Sequence, residues 1–183
     1  MPKPLLFLDV DGPLNPYVAP AEFLRAHGYV RHRMLPESWV AEHAGKPRSY
    51  IRPLTVWLNP GHGLQLMGLP FELVWATTWE EDANSWIGPR IGLPSLPVVT
   101  WSPSAAWPDG AFAKAPDLVT QAGGRPFAWV DDQIRPADRE HVARRHRGPA
   151  LLHHVDPAAG LGPADFTALA HWAAALPATP TGP

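Results

Sequence analysis

The chain contains no cysteine, which excludes disulfides, thiolate metal sites and a cysteine nucleophile within it. Its formal net charge is only −2, so no overall field of one sign favours nucleic acid or an anionic membrane as a partner. No apolar run approaches the length of a membrane span or of a signal-peptide core. These absences predict a soluble, cytoplasmic protein with no membrane partner, and they leave its oligomeric state open.

Proline, in contrast, is abundant, with 24 residues in a chain of 183. Proline and glycine together still make up only about a fifth of the chain, below the roughly 25–30% that is typical of disordered sequences. The nine tryptophans add large apolar side chains for a core. We therefore expect one folded domain over residues 1–176, with many stiff loops, and a disordered tail over 177–183.

Short apolar runs, bounded by proline, glycine or acids, alternate with segments of helical pattern. Runs of this length are typical of strands that are buried on both faces of a parallel sheet. The runs lie at 5–10, 54–58, 71–77, 96–101, 127–132 and 150–155, and the helical segments at 61–69, 79–88, 115–124, 135–148 and 163–176. The alternation predicts an α/β fold, a Rossmann-like three-layer sandwich with a central, mostly parallel sheet.

The segment 14–53 lacks strong periodicity and contains five prolines. It is expected to be an insertion of loops with a short helix across 20–27, and not a separate domain. The run at 54–58 could then belong to a small β-hairpin flap instead of the main sheet. Little length remains for a large cap over the sheet.

Polar side chains follow three of the predicted strands, at the point where each strand ends. They are Asp9 and Asp11, Thr77 and Thr78, and Asp131 and Asp132. If the strands are neighbours, four carboxylates and a hydroxyl meet at one edge of the sheet. Two negative charges about 4 Å apart repel by roughly 4 kcal/mol at an effective dielectric of about 20, so the cluster favours a divalent cation. Oxygen ligands alone favour magnesium over zinc.

Lysine is scarce, which draws attention to Lys114, 17 residues ahead of Asp131. A compact ammonium at that place could pair with a carboxylate and with a phosphoryl oxygen. These residues also have interpretations without a functional role. Lys114 could be an ordinary surface lysine, the acids could be solvated strand ends, and the threonine could be present because threonine favours strands.

The four stretches "LFLDVDG", "LVWAT", "FAK" and "WVDD" resemble, in order, the four motifs of the haloacid dehalogenase-like superfamily of phosphotransferases. They span about residues 5–132. The segments "VWLNPGH", "LVWATTWEEDAN" and "GLPSLPVV" are also similar to the phosphatase-like domain of Swiss Army Knife RNA-repair proteins. The resemblance implies a magnesium-dependent phosphohydrolase.

The resemblance assigns different roles to the two acids of the first motif. Asp9 would be the nucleophile that forms an aspartyl-phosphate. Asp11 would protonate the leaving oxygen and then activate the hydrolytic water. Gly12 would let the chain turn away from the phosphoryl site. Pro13 departs from the threonine or valine of many relatives, which affects the expected turn and leaves the acids in place.

Magnesium would be held by the Asp9 carboxylate, the Asp11 main-chain carbonyl and Asp132, with Asp131 either a direct ligand or a support behind one. Thr77 would bind a phosphoryl oxygen, unless the strand ends one residue later and Thr78 does so.

Lys114 would fix the nucleophile and stabilise the transition state. The partner implied is a phosphorylated substrate. An open site with little cap favours a bulky one, such as a nucleic-acid end phosphate, and a small-molecule phosphatase such as a nucleotidase is the alternative.

A catalytically idle binding or scaffold domain is the alternative of another class. An arginine-rich run could form a patch for a polynucleotide backbone, although such a run is more often a solvated helix face. Its members are Arg139, Arg144, Arg145 and Arg147.

Overall fold

A computed structural model of the chain describes residues 2–103 and 113–177. Its strands are β1 (Leu5–Leu8), β2 (Val30–Met34), β3 (Leu54–Leu58), β4 (Glu72–Trp75), β5 (Phe127–Asp131) and β6 (Ala150–His154). Its helices are α1 (Ala21–Ala26), α2 (Glu37–Glu42), α3 (His62–Gly68), α4 (Gly88–Ile91), α5 (Ala115–Ala122), α6 (Pro136–Arg145) and α7 (Pro163–Ala174). A 3₁₀ turn covers Arg48–Tyr50, and a π-helical turn over Ala83–Ile87 leads into α4.

Four parallel strands form the central sheet in the order β4-β1-β5-β6. Strand β1 lies inside the sheet and all four of its residues are buried. Leu6 and Leu8 pack with α3, α4 and α7 on one face, while Leu5 and Phe7 pack with α5 and α6 on the other. The two faces confirm the prediction of a Rossmann-like three-layer sandwich with a central parallel sheet.

The hairpin formed by β2 and β3 is separate from that sheet, and its strands are antiparallel. This arrangement confirms the flap interpretation of 54–58, and α1 confirms the helix expected across 20–27. Strand β2 and helix α2 were missed in the insertion. The sequence of β2, "VRHRM", has apolar residues only at its ends, so it gives little alternation to recognise.

The strand predicted at 96–101 was wrong. That segment makes one isolated parallel bridge, between Val98 and Trp75 at the free edge of β4. Pro97 accepts a hydrogen bond from the Trp75 amide but has no N–H of its own to extend a ladder. Residues 178–183 of the expected disordered tail, and Phe112 of the third motif, lie outside the described residues. Within the described ranges, no helix is long and apolar enough to span a bilayer.

Candidate active site

Strands β1 and β5 bring Asp9 and Asp131 side by side. Leu8 pairs with Val130 in the parallel register, and the Asp9 amide donates to the Val130 carbonyl at 3.0 Å. The next residue of each strand is therefore an acid on the same side of the sheet. Both carboxylates pair with the ammonium group of Lys114, because its Nζ lies 2.7 Å from Asp9 Oδ2 and 2.7 Å from Asp131 Oδ2. The pairing expected for Lys114 is therefore present.

Burial and the charges within the group shift the pKa values of its members. Burial raises the pKa of Asp9 to about 7, against the opposing effect of Lys114 and with a further increase from Asp131. Burial alone would lower the pKa of Lys114, but the charges of Asp9 and Asp131 outweigh it and raise that pKa above its ordinary value. The lysine thus stays charged and compensates two carboxylates that would be costly to bury alone.

Asp131 is fully buried and its two oxygens are held by donors. The Trp129 indole donates to Oδ2 at 3.1 Å, beside Lys114, and the Gln133 amide donates to Oδ1 at 2.8 Å. These contacts fix the carboxylate in one orientation. Asp131 therefore holds Lys114 next to Asp9.

Asp132 is half-buried and, unlike Asp131, has one buried oxygen without a hydrogen-bond partner in 2–103 or 113–177. Its Oδ2 accepts a hydrogen bond from the Tyr17 hydroxyl at 2.8 Å, which raises the pKa of Tyr17 to about 12. Its Oδ1 is buried and has no hydrogen-bond partner among the described residues. Burial raises the pKa of Asp132 too. An orphaned buried acceptor of this kind is what a bound cation would satisfy.

One carboxylate oxygen each from Asp9, Asp131 and Asp132 lies within 4.8 Å of the others. All three donors are oxygens, the ligands of a hard cation such as magnesium. The side chain of Asp11 is not a member of this group; its main-chain carbonyl was the expected ligand. The residues present therefore fit a divalent cation, which would neutralise the negative charge around the reacting group.

Gly12 allows Asp132 to approach the loop after β1. Its φ is +90°, in the left-handed region, and a Cβ built there would lie 2.5 Å from both Cβ and Cγ of Asp132. A side chain at this position would therefore push Asp132 away from the cluster. The glycine of the motif has a packing role in addition to the turn predicted for it.

The carboxylate of Asp11 is held between the insertion and the loop after β4. Its Oδ1 accepts from Asn15 Nδ2 at 2.7 Å, and its Oδ2 accepts from the Trp79 indole at 2.9 Å. Asn15 in turn accepts from the Trp57 amide of β3 at 2.9 Å. These bonds orient Asp11 and tie the hairpin to the acid.

The two threonines have different surroundings. Thr77 is fully buried, hydrogen bonds with the Asp9 carboxylate, and accepts a hydrogen bond from the Trp79 amide at 3.3 Å. Thr78 is exposed and lines the cavities next to Asp11. Thr77 is therefore placed to hold the nucleophile candidate, and Thr78 is the threonine that faces open space.

Two cavities adjoin the acids and share Asp11 and Thr78. The inner cavity has a volume of about 160 Å³, and the outer cavity, below the hairpin, about 280 Å³. The inner one is lined by Asp9, Asp11, Thr78, Lys114, Trp129, Asp131, Gln133, Arg135 and Asp138. The outer one is lined by Asp11, Asn15, Pro36, Ser38, Trp39, Glu42, Leu54, Thr55, Val56, Thr78 and Trp79. A small tetrahedral anion fits the size of the inner cavity, with a larger group beyond it.

Sequence reasoning missed the neutral donors around the acids. They are Asn15, Tyr17, Trp79 and Trp129. Their only sequence signal is nearness to a motif, since each lies within six residues of a predicted site residue. Tyr17 is 115 residues from the carboxylate that it contacts, a pairing that no local pattern reveals.

Comparisons with known proteins give no family assignment. No protein-family model matches the chain, and neither a curated protein nor a solved structure is significantly similar to it. The functional proposal therefore depends on the geometry of the site and on the motifs in the sequence.

Proposed function

We propose that the protein is a magnesium-dependent phosphohydrolase of the haloacid dehalogenase-like type, with Asp9 as its nucleophile. The observation that carries the proposal is the buried pair of Asp9 and Lys114, 2.7 Å apart, at the end of a central parallel strand. A second carboxylate on the same lysine adjoins it, as does an oxygen of Asp132 that has no hydrogen-bond partner among the described residues. A cation and a lysine on one buried carboxylate are suited to a reaction between two anions.

In the first half of the reaction, a carboxylate oxygen of Asp9 forms a bond to phosphorus while the bond to the leaving oxygen breaks. Protonated Asp11 donates its proton to that oxygen, so the product leaves as a neutral alcohol. Trp79 and Asn15 hold the Asp11 carboxyl in position for this transfer. Lys114 keeps Asp9 oriented and faces the inner cavity, where phosphoryl oxygens would lie.

In the second half, Asp11 takes a proton from water, whose oxygen bonds to phosphorus as the acyl-phosphate P–O bond breaks. Phosphate is released and Asp9 is restored as a carboxylate. A magnesium ion on Asp9, Asp132 and the Asp11 carbonyl, with Asp131 nearby, would supply charge neutralisation throughout. Thr77 hydrogen bonds with Asp9, and Thr78 is exposed to the inner cavity, so the phosphoryl-binding hydroxyl of the motif falls to Thr78.

The test is hydrolysis of p-nitrophenyl phosphate with and without magnesium, comparing the wild type with Asp9→Asn. We expect turnover that requires magnesium and falls by about 10³-fold or more in the variant. Asp156→Asn is the matched control, because Asp156 is exposed and its capping bond to the Ala158 amide can be kept by asparagine. Equal turnover in Asp9→Asn and wild type would refute the nucleophile assignment.

Trapping with beryllofluoride separates an enzyme from an idle scaffold domain. An adduct on Asp9 that needs magnesium is expected for the phosphohydrolase. Magnesium binding without any adduct would favour a binding domain. The preferred substrate is the phosphate at a nucleic-acid end, and a small-molecule phosphatase such as a nucleotidase remains the alternative.

A further inference from the structure

The outer cavity, which would receive the leaving group, is lined by aromatic, neutral and acidic residues. Trp39 and Trp79 contribute rings, and Asp11 and Glu42 contribute carboxylates. No lysine or arginine is among its lining residues in the described parts of the chain. A flat neutral group such as a nucleobase and its sugar suits this lining, whereas a second phosphate inside it would meet like charge.

Cations lie on one face of the hairpin beside this cavity. Residues directly opposite each other in an antiparallel pair share a face, and here Arg31 pairs with Trp57 while Arg33 pairs with Thr55. Both arginines are exposed. Arg25, from α1, lies over the Trp57 ring at 5.4 Å from its centre. The face thus combines three guanidinium groups with one aromatic ring.

This basic face starts at the mouth of the outer cavity. Thr55 lines the cavity and is the cross-strand partner of Arg33. Two residues further along β3, the backbone amide of Trp57 donates a hydrogen bond to Asn15, whose side chain in turn donates one to Asp11. A chain that leaves the cavity past Thr55 therefore reaches Arg33 first and then Arg31 and Trp57.

Arg31 and Arg33 make no ion pair with any residue in 2–103 or 113–177. Arg48 of the same insertion, by comparison, is neutralised by Glu37, 2.7 Å away. Two adjacent arginines without carboxylate partners form a positive strip that complements the phosphates of a polynucleotide backbone.

From these observations we infer that the hairpin face binds a single-stranded polynucleotide whose terminal nucleoside occupies the outer cavity. The next phosphates lie on Arg33 and Arg31, beside the Trp57 ring and the Arg25 guanidinium that lies over it. The inference rests on the proposed phosphohydrolase function for the reacting end. A mononucleotide would fill the cavity and leave the basic face unused.

The inference is tested with terminally phosphorylated oligonucleotides of one to six nucleotides, in 5′ and 3′ forms. We expect kcat/KM to rise with length, and the variant Arg31→Gln/Arg33→Gln to lower it about tenfold on the hexamer. Its kcat/KM on p-nitrophenyl phosphate and on the mononucleotide should be unchanged. Arg144→Gln/Arg145→Gln, on α6, is the matched control and should behave as the wild type.

Binding gives a readout that does not depend on turnover. Asp9→Asn protein is titrated with a labelled phosphorylated hexamer at several salt concentrations. Removing both hairpin arginines should reduce the slope of log Kd against log salt by about 1.4, since each single-strand phosphate contact contributes about 0.7. A slope that changes in the α6 variant and not in the hairpin variant would overturn the inference.

The outcomes separate this inference from the proposed function. Suppose that the protein hydrolyses p-nitrophenyl phosphate but that its kcat/KM does not depend on oligonucleotide length, or is highest for mononucleotides. That result overturns the binding role of the basic face and leaves the proposed phosphohydrolase function intact. Absence of all turnover overturns the phosphohydrolase, and the salt titration then still decides whether the hairpin binds the strand.

Discussion

Lys114 Nζ bridges Asp9 and Asp131 at 2.7 Å to each, so one buried cation compensates two buried acids. Because the pairing is buried, its loss leaves charge that water cannot reach. The arrangement also joins three parts of the chain, the ends of β1 and β5 and the start of α5. Stability and the proposed chemistry therefore depend on the same ammonium group.

Replacing Lys114 with methionine should abolish the proposed phosphatase activity and lower the free energy of unfolding by about 3–5 kcal/mol, as breaking a buried ion pair does. Magnesium should raise the Tm of the variant more than that of the wild type. Without Lys114 the repulsion between Asp9 and Asp131 is uncompensated, and a divalent cation would offset it. Differential scanning calorimetry with and without magnesium measures the two effects on stability, and hydrolysis of p-nitrophenyl phosphate measures the activity. The double variant Lys114→Met/Asp131→Asn should recover part of the lost stability, and a further loss would contradict this account.

Gly12→Ala should weaken magnesium binding at the site, in addition to straining the backbone at residue 12. The new Cβ would lie 2.5 Å from Cβ and Cγ of Asp132, so Asp132 must move and magnesium affinity should fall. Gly45→Ala is a close control, since Gly45 has φ +96° and nothing within 4 Å of the built Cβ. Both variants should lose about 1–3 kcal/mol of stability from strain. Isothermal titration with magnesium should separate them, and equal affinities in the two variants would count against the packing role of Gly12.

Trp79→Phe should reveal a positioning role for the indole, which donates to Asp11 Oδ2 at 2.9 Å. Asp11 protonates the leaving oxygen in the proposed reaction, and that step matters most when the leaving alcohol is a poor one. We therefore expect a large fall in kcat for an alkyl phosphate and a small one for p-nitrophenyl phosphate. Trp86→Phe is the control, because Trp86 is not among the lining residues of either cavity. An equal loss on both substrates would point to a merely structural effect.

His62 should make stability depend on pH below neutrality. It is 3% exposed, between the rings of Tyr29 and Phe166, and burial lowers its pKa from 6.5 to about 4. Above pH 6.5 both folded and unfolded chains carry the neutral ring. Between 6.5 and 4 only the unfolded chain takes up the proton, so up to about 3 kcal/mol of stability is lost across that window.

Urea unfolding of the wild type and of His62→Gln at pH 7.5 and 5.0 isolates this contribution. The difference in stability between the two proteins should shrink or reverse at pH 5.0, because glutamine does not titrate. The raised pKa of Asp9 acts in the opposite direction in both proteins and cancels in the comparison. A difference that is constant with pH would show that His62 does not titrate as described.

The central sheet was predictable because its strands are buried on both faces and read as continuous apolar runs. The run "LLFL" carries that signal without any long-range knowledge. Strand β2 was not predictable, because its outward face is Arg31 and Arg33, and its pairing with β3 is what makes it a strand. The mistaken strand at 96–101 shows the reverse case, in which apolar residues are present and Pro97 interrupts the ladder.

The acids of the site could be found from the sequence because charge at the end of an apolar run is conspicuous. Lys114 could be found because lysine is scarce and because the third motif of the resemblance contains one. Trp79 and Tyr17 could not, because indoles and phenols are ordinary core residues until a carboxylate is seen beside them. Thr77 was the expected phosphoryl-binding threonine, with Thr78 as the alternative, because the burial of adjacent positions depends on where the strand ends.

The contact between Asp9 and Lys114 spans 105 residues of sequence. Lys114 is synthesised long after Asp9, so the pair can form only once synthesis has passed residue 114. Until then the first motif has carboxylates but no lysine beside them, so a nascent chain would carry the proposed nucleophile without the ammonium group that orients it. The proposed activity would therefore require that synthesis has passed both Lys114 and β5.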